Sequence, residues 1–254
     1  DFISVTYGAG VSTTENTVEI ASKIKNEYSI EAVAHLSCID ATPEQLIRVL
    51  DSLKANNIEN VLALRGDYPR GYDPMKAPHY YKYASELNDF ISKNYPDTFC
   101  LSGACYPEVH QEAASLEEDL IALKKKVDAG AEYLITQIFF DNNYYYRLVR
   151  EARIRGINVP IIAGIMPATN SKSLLNIAKL SGCNIPYNLS ASIERFKSNP
   201  QAMKEVGMNY ATNQIIDLIT NGVDGIHLYT MNKPETVHEI LKRTSNILAE
   251  FKND

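Results

Sequence analysis

The stretch VLALRGDY, residues 61–68, decides how the rest of the chain is read. Val61, Leu62, Ala63 and Leu64 are apolar in succession, without the alternation of a half-exposed strand. A strand covered on both faces reads this way, and such covering is the condition of a parallel sheet. Arg65, Gly66 and Asp67 stand where the apolar run stops. In barrels of parallel strands, polar groups at the carboxyl ends of the strands are where chemistry gathers.

Outward from this stretch, strand-like and helix-like segments alternate. Toward the N-terminus, residues 2–7 are β-branched and aromatic, and a helix over residues 14–28 places Val18, Ala21, Ile24 and Tyr28 on one face. A strand over residues 31–36 carries His35 near its end. Thr42, Pro43 and Gln45 then read as N-cap, first helical position and capping-box partner, with Leu46, Val49, Leu50 and Leu53 inward. After a loop over residues 68–81, rich in Pro, Gly and Tyr, a helix covers residues 84–93 and a strand residues 98–104. Ser115 and Glu118 form a second capping box, opening a helix that buries Leu116, Leu120, Leu123 and Val127. A strand follows over residues 133–140 with Gln137 inside it, then a helix over 142–156 and a strand over 159–166. Residues 171–181 are helical, an excursion passes Pro186 and Pro200 to a helix near residues 203–221, and residues 225–230 form the last strand. Pro234 opens the terminal helix, with Val237, Ile240, Leu241, Thr244 and Leu248 inward.

Seven strand–helix alternations with no break in composition predict an α/β fold with a parallel sheet and helices outside it, as one domain over residues 1–254. Seven is one short of a TIM (β/α)8 barrel. Asp1 is not an initiator methionine, so the simplest reconciliation places a first strand and helix upstream of it. The alternative is an open doubly wound sheet.

A charged fraction of 22% and a hydrophobic fraction of 45% are ordinary for a soluble domain, and the net charge of −6 argues against a nucleic-acid partner. No apolar run reaches the roughly 20 residues of a membrane span. Cys38, Cys100, Cys105 and Cys183 make no CxxC pair and no zinc spacing, which fits reduced thiols in a cytoplasmic protein. No His, Asp and Glu cluster has metal-ligand spacing, so no metal site is expected.

The strand ends collect Thr6, Tyr7, His35, Arg65, Gly66, Asp67, Tyr106, His110, Gln137, Asn170 and Tyr229. Gly8-Ala9-Gly10 lacks the third glycine of a dinucleotide fingerprint, Thr13 standing in its place, and reads as a tight turn. Asp67 alone is either a turn aspartate or a carboxylate aimed at a bound ring. Asp119 and Lys126 are seven apart and share one stripe of a helix, which by itself is also what a solvated face looks like.

Taken in order, SVTYGA, AHLSCIDAT, ALRGD, YPEVH, KKKVDAGA, TQIFFD and HLYTMN resemble the flavin-dependent methylenetetrahydrofolate reductases, over nearly the whole chain. The resemblance implies a compact bacterial-type catalytic barrel with FAD at the carboxyl ends of its strands. It implies that NADH or NADPH reduces the flavin and leaves, and that 5,10-methylenetetrahydrofolate then receives the hydride in a ping-pong sequence. The product, 5-methyltetrahydrofolate, would supply methyl groups for methionine synthesis, and homo-oligomers are implied as well.

Carried over by position, the cofactor contacts fall on Thr6, Tyr7, Ala9, His35, Arg65, Gly66, Asp67, Ala84, Tyr106, His110, Ala113, Asp119, Lys125 and Lys126. The catalytic positions are Asp67 and Gln137, and the substrate positions are Asp67, Gln137, Ser173, Tyr229 and Lys233. The family's proton-donating glutamate lies on its first strand and is expected upstream of residue 1. Lys233 replaces a family arginine, keeping the charge but losing the bidentate fork. Ser173 replaces a glutamine and Ala122 an asparagine. Two other readings stand beside this one: the same flavin barrel fed by a ferredoxin or other partner protein, and a degenerate barrel serving as an interaction module.

Overall fold

The structure, a computed structural model, describes residues 1–6, 11–39, 41–67 and 80–251. Tyr7, Ala9 and most of the loop over residues 68–81 lie outside the described residues. The chain forms two compact units: Asp1–Ala104 with Ile121–Leu134, and Cys105–Leu120 with Ile135–Asp254.

The first unit holds β1 (Phe2–Val5), α1 (Val11–Asn26), β2 (Glu31–Ser37), α2 (Pro43–Ala55), β3 (Asn60–Leu64) and α3 (Ala84–Asn94). It also takes all but the last residue of β4 (Cys100–Cys105), most of α4 (Leu116–Asp128) and the start of β5 (Ala131–Thr136). β1 pairs with β2, β2 with β3 and β3 with β4, each in parallel. Val33 lies opposite Asn60, and Asn60 opposite Cys100. The apolar run of β3 buries Val61, Leu62 and Ala63, as its lack of alternation requires. Leu46, Leu50 and Leu53 of α2 pack with Ala34, Leu36, Val61 and Ala63 in one cluster. Full burial of each such leucine stabilises by about 1.5–3 kcal/mol. The capping box is present at α2: the Gln45 amide N–H donates to Thr42 Oγ1 (3.2 Å), and the Thr42 N–H to Gln45 Oε1 (2.7 Å).

The second unit holds α5 (Asn142–Ile154), β6 (Ile161–Ile165), α6 (Ser171–Ser181), α7 (Tyr187–Phe196), α8 (Pro200–Thr220), β7 (Ile226–Leu228) and α9 (Pro234–Phe251). β6 and β7 are parallel, with Ala163 opposite Ile226 and Gly164 opposite His227. Strand and helix thus alternate along the chain as expected, through seven strands among the described residues. None of the described helices is long and apolar enough to cross a membrane.

Several details differ from the sequence expectation: α1 ends at Asn26, and Tyr28, expected on its inward face, lies beyond the helix and is 70% exposed. β5 stops at Thr136 instead of running to residue 140. Ile138, Phe139 and Phe140 are buried all the same, so the apolar run fills the core beyond the end of the strand. The Phe139 and Phe140 carbonyls are served by side chains instead of a ladder: Gln214 Nε2 donates to Phe139 O (3.2 Å) and Tyr210 Oη to Phe140 O (2.5 Å). The excursion between Pro186 and Pro200 contains α7, which buries Leu189 and Ile193. Leu241 of α9 is 46% exposed, because its neighbours Ile240 and Thr244 take the inward face.

Candidate active site

In the first unit the ends of β2 and β3 are laced together beyond their regular pairing. The Cys38 N–H donates to Leu64 O (3.2 Å) and the Ile39 N–H to Arg65 O (2.9 Å). Gly66 follows at φ +84°, where a Cβ would sit 2.5 Å from Ser37 Oγ and 2.9 Å from Ser37 Cβ. Only glycine meets both demands, the left-handed backbone and the close approach. Arg65 is therefore half-buried and Asp67 exposed at a fixed point on the strand exit. His35 is half-buried on β2, opposite Leu62.

Ala84 is the first residue of α3 and is buried. Thr6 follows β1, and its carbonyl accepts from Thr17 Oγ1 (3.1 Å). On α4, Lys126 lays its stem along Gly103, and its Nζ donates to Ala104 O near the end of β4 (2.7 Å). Lys125 is exposed, and Lys124 pairs with Asp128.

In the second unit Tyr106 and His110 meet edge to face, ring centroids 4.6 Å apart at 88°. His110 Nδ1 accepts from the Glu112 N–H (3.1 Å), so the neutral imidazole carries its proton on Nε2 and presents it as a donor. The His110 N–H donates to Asp119 Oδ2 (2.9 Å), and the Ala113 N–H to His110 O (2.9 Å). Asp119, a cofactor position by the family resemblance, holds the turn that carries His110. Between Tyr106 and His110, Val109 has φ +76°. A β-branched residue in the left-handed region is strained and needs its surroundings to hold it there.

Gln137 follows β5 directly. Its N–H donates to Cys105 O (2.7 Å), and its Oε1 accepts from the Ile138 N–H (2.9 Å). That second bond fixes the sense of the side-chain amide and points Gln137 toward work as a hydrogen-bond donor through Nε2.

Ser173, Tyr229 and Lys233, brought forward separately from the sequence, line one pocket with Asn170, Thr230 and Met166. Its volume is about 30 Å³, room for a water or a terminal group. Asn170 caps α6, its Oδ1 accepting from the Ser173 N–H (2.9 Å). Tyr229 differs from a simple ligand. Its hydroxyl donates to Thr136 O (2.9 Å), and its ring lies so close over Gly164 that a Cβ there would be 2.6 Å away. Burial raises its phenol pKa, so the hydroxyl stays protonated and the ring serves as a wall. The Lys233 N–H donates to Thr230 O (3.0 Å), closing a turn through Met231 and Asn232, both left-handed.

The family model for methylenetetrahydrofolate reductase matches residues 1–245. The chain belongs to the methylenetetrahydrofolate reductase family. Within it, the chain is 39% identical over 239 residues to 5,10-methylenetetrahydrofolate reductase of Escherichia coli, covering 94% of this chain and 78% of that protein. It is 38% identical over 250 residues to methylenetetrahydrofolate reductase (NADH) 1 of Arabidopsis thaliana, covering 94% of this chain. The chain spans 42% of the length of that plant relative. Among solved structures, an uncharacterized protein from Clostridium thermocellum that binds two copies of 5-methyl-5,6,7,8-tetrahydrofolic acid has a TM-score of 0.57 at 13% identity, covering 96% of this chain and 92% of its own. At that identity the likeness is one of fold. The structure brings forward two residues the sequence reading passed over: Glu108, inside the quoted YPEVH, accepts hydrogen bonds from Asn184, and Thr230, inside HLYTMN, lines the pocket.

Proposed function

We propose that the chain reduces 5,10-methylenetetrahydrofolate to 5-methyltetrahydrofolate, with FAD as its cofactor and NADH or NADPH as electron source. The family match over residues 1–245 is the observation that carries this reading. The donor chemistry of each unit suits a flavin dinucleotide. The first unit offers the pinned Arg65-Gly66-Asp67 exit and the cations Lys125 and Lys126, of the kind that meet a diphosphate. The second offers the His110 Nε2–H donor, the Tyr106 ring and the Asp119 carboxylate.

FAD held by these residues would supply hydride transfer between the nicotinamide and the folate, which would take turns at the site. The protein's own part is orientation and charge. Asp67 would favour the cationic iminium form of the folate, since a carboxylate stabilises positive charge developing nearby. Gln137, its Oε1 taken by the Ile138 N–H, would donate to an acceptor on the substrate ring and hold it in register. Ser173, Lys233 and the Tyr229 ring would receive the glutamate tail, whose carboxylate size matches the small pocket better than a ring does. Lys233 supplies one charge without a bidentate fork.

The reading extends to a single TIM-barrel domain in a cytoplasmic homo-oligomer that serves methionine synthesis. Anaerobic stopped-flow on the flavin band tests the chemistry. Bleaching by NADH or NADPH, then recovery on adding methylenetetrahydrofolate, is the expected result. Bleaching by dithionite alone would overturn the nicotinamide assignment in favour of a partner protein, and a colourless protein would overturn the flavin.

A further inference from the structure

The turn over residues 106–111 grips the far end of α6 at three points. The Glu108 carboxylate accepts the Asn184 N–H on both oxygens (3.1 and 2.9 Å) and Asn184 Nδ2 on Oε2 (2.5 Å). Gln111 Nε2 donates to Leu180 O (2.8 Å). Gly182, left-handed at φ +71°, brings its backbone so near that a Cβ would lie 2.7 Å from the Gln111 side chain. The other end of α6 supplies Asn170, Ser173, Leu174 and Ile177 to the pocket. One turn therefore holds Tyr106 and His110 on one side and the pocket helix on the other.

Within that turn Val109 keeps its left-handed φ of +76° next to the Glu108 carboxylate. Stability is a poor explanation for a carboxylate here. Glu108 is half-buried, and burial raises its pKa in spite of the opposing Asn184 hydrogen bonds; Asp141 raises it further and Arg147 lowers it. Burial raises the thiol pKa of Cys183, beside Asn184, and the Glu108 charge raises it further. The ionised side chain is thus less well solvated than in water, which marks a position kept for geometry.

We propose that Glu108 is a positioning residue: its grip on Asn184 holds Val109 in the left-handed conformation, fixes the Tyr106–His110 pair, and couples that pair to the pocket end of α6. The effect on cofactor binding rests on the reading that Tyr106 and His110 meet FAD.

The test compares the full chain with Glu108→Gln, Asn184→Ala and the double variant Glu108→Gln/Val109→Gly. The readouts are FAD titration of the apoprotein, melting temperature at pH 7 and amide hydrogen exchange. Glu108→Gln keeps the shape but loses one acceptor oxygen. It should weaken FAD binding about tenfold, the scale of one charge-assisted hydrogen bond, with no fall in melting temperature. Exchange should quicken together over residues 106–113 and 180–184. Asn184→Ala keeps both backbone bonds and should lose less. Adding Val109→Gly to Glu108→Gln should restore affinity, since glycine holds the turn without the grip. Wild-type affinity in Glu108→Gln, a loss matched by a fall in melting temperature, or no rescue would each overturn the proposal. If the wild-type protein binds no FAD, the flavin reading fails on its own. The coupling is then judged by exchange, and an unchanged pattern over residues 106–113 in Glu108→Gln overturns it.

Discussion

Replacing Gly66 by alanine tests whether the exit of β3 is a fixed point. The new Cβ would lie 2.5 Å from Ser37 Oγ and 2.9 Å from Ser37 Cβ, at a backbone φ of +84°. The left-handed backbone costs a non-glycine residue about 1–2 kcal/mol, and forcing a methyl into a packed site adds about 1–3 kcal/mol. Together they give a loss of roughly 2–5 kcal/mol, or about 4–20 °C in melting temperature for a chain of this size. Urea or thermal unfolding of wild type, Gly66→Ala, Ser37→Gly and the double variant separates the two parts. Ser37→Gly removes both clashing atoms, so the cycle should show a coupling of about 1–3 kcal/mol while the backbone strain persists. FAD affinity should follow the clash, because Arg65 and Asp67 move with Gly66. Additive losses with no coupling would refute the argument that Ser37 fixes the position of the exit.

The remaining predictions are more local. Tyr229→Phe should cost about 1–2 kcal/mol in unfolding free energy, for the lost bond to Thr136 O, with little change in folate KM; a large KM effect would mean the hydroxyl meets substrate. Lys233→Ala should raise folate KM about tenfold, the scale of one charged contact, leaving FAD titration unchanged, and Lys233→Arg should lower KM below wild type. Burial depresses the His227 pKa to about 4 from 6.5. Its folded value lies below the unfolded one, so its contribution is complete above about pH 6.5 and lost as pH falls toward about 4. Wild type should therefore lose roughly 2–4 kcal/mol over that window that His227→Gln does not lose; parallel pH profiles by urea unfolding would exclude it.

Much of this was legible because local and long-range demands agree. The unbroken apolar run of β3 read as a covered strand, which the structure bears out, and Thr42 with Gln45 spelled the start of α2. The reading slipped where one sequence pattern serves two structures. Ile138, Phe139 and Phe140 look like strand because they are buried, yet the Phe139 and Phe140 carbonyls are answered by Gln214 and Tyr210. That exchange depends on residues some 70 positions away, beyond any local window. Residues 187–196 hid α7 because two prolines bracket it and its apolar face is narrow. Ser173, Tyr229 and Lys233 could be brought forward singly by family resemblance, but their meeting in one pocket required the fold. Glu108 was unreadable for the same reason: its partner Asn184 lies 76 residues downstream.

The exit of β5 also bears on how the chain is made. During synthesis, Phe139 and Phe140 emerge long before Tyr210 and Gln214, the residues that answer their carbonyls. Until α8 follows, that turn presents bare acceptors on an apolar segment, a combination that invites wrong pairing. The second unit cannot commit in the order in which it leaves the ribosome; its middle waits on its end. A chain stopped before residue 210 should therefore be captured by chaperones, while one carried through β7 and α9 should escape them.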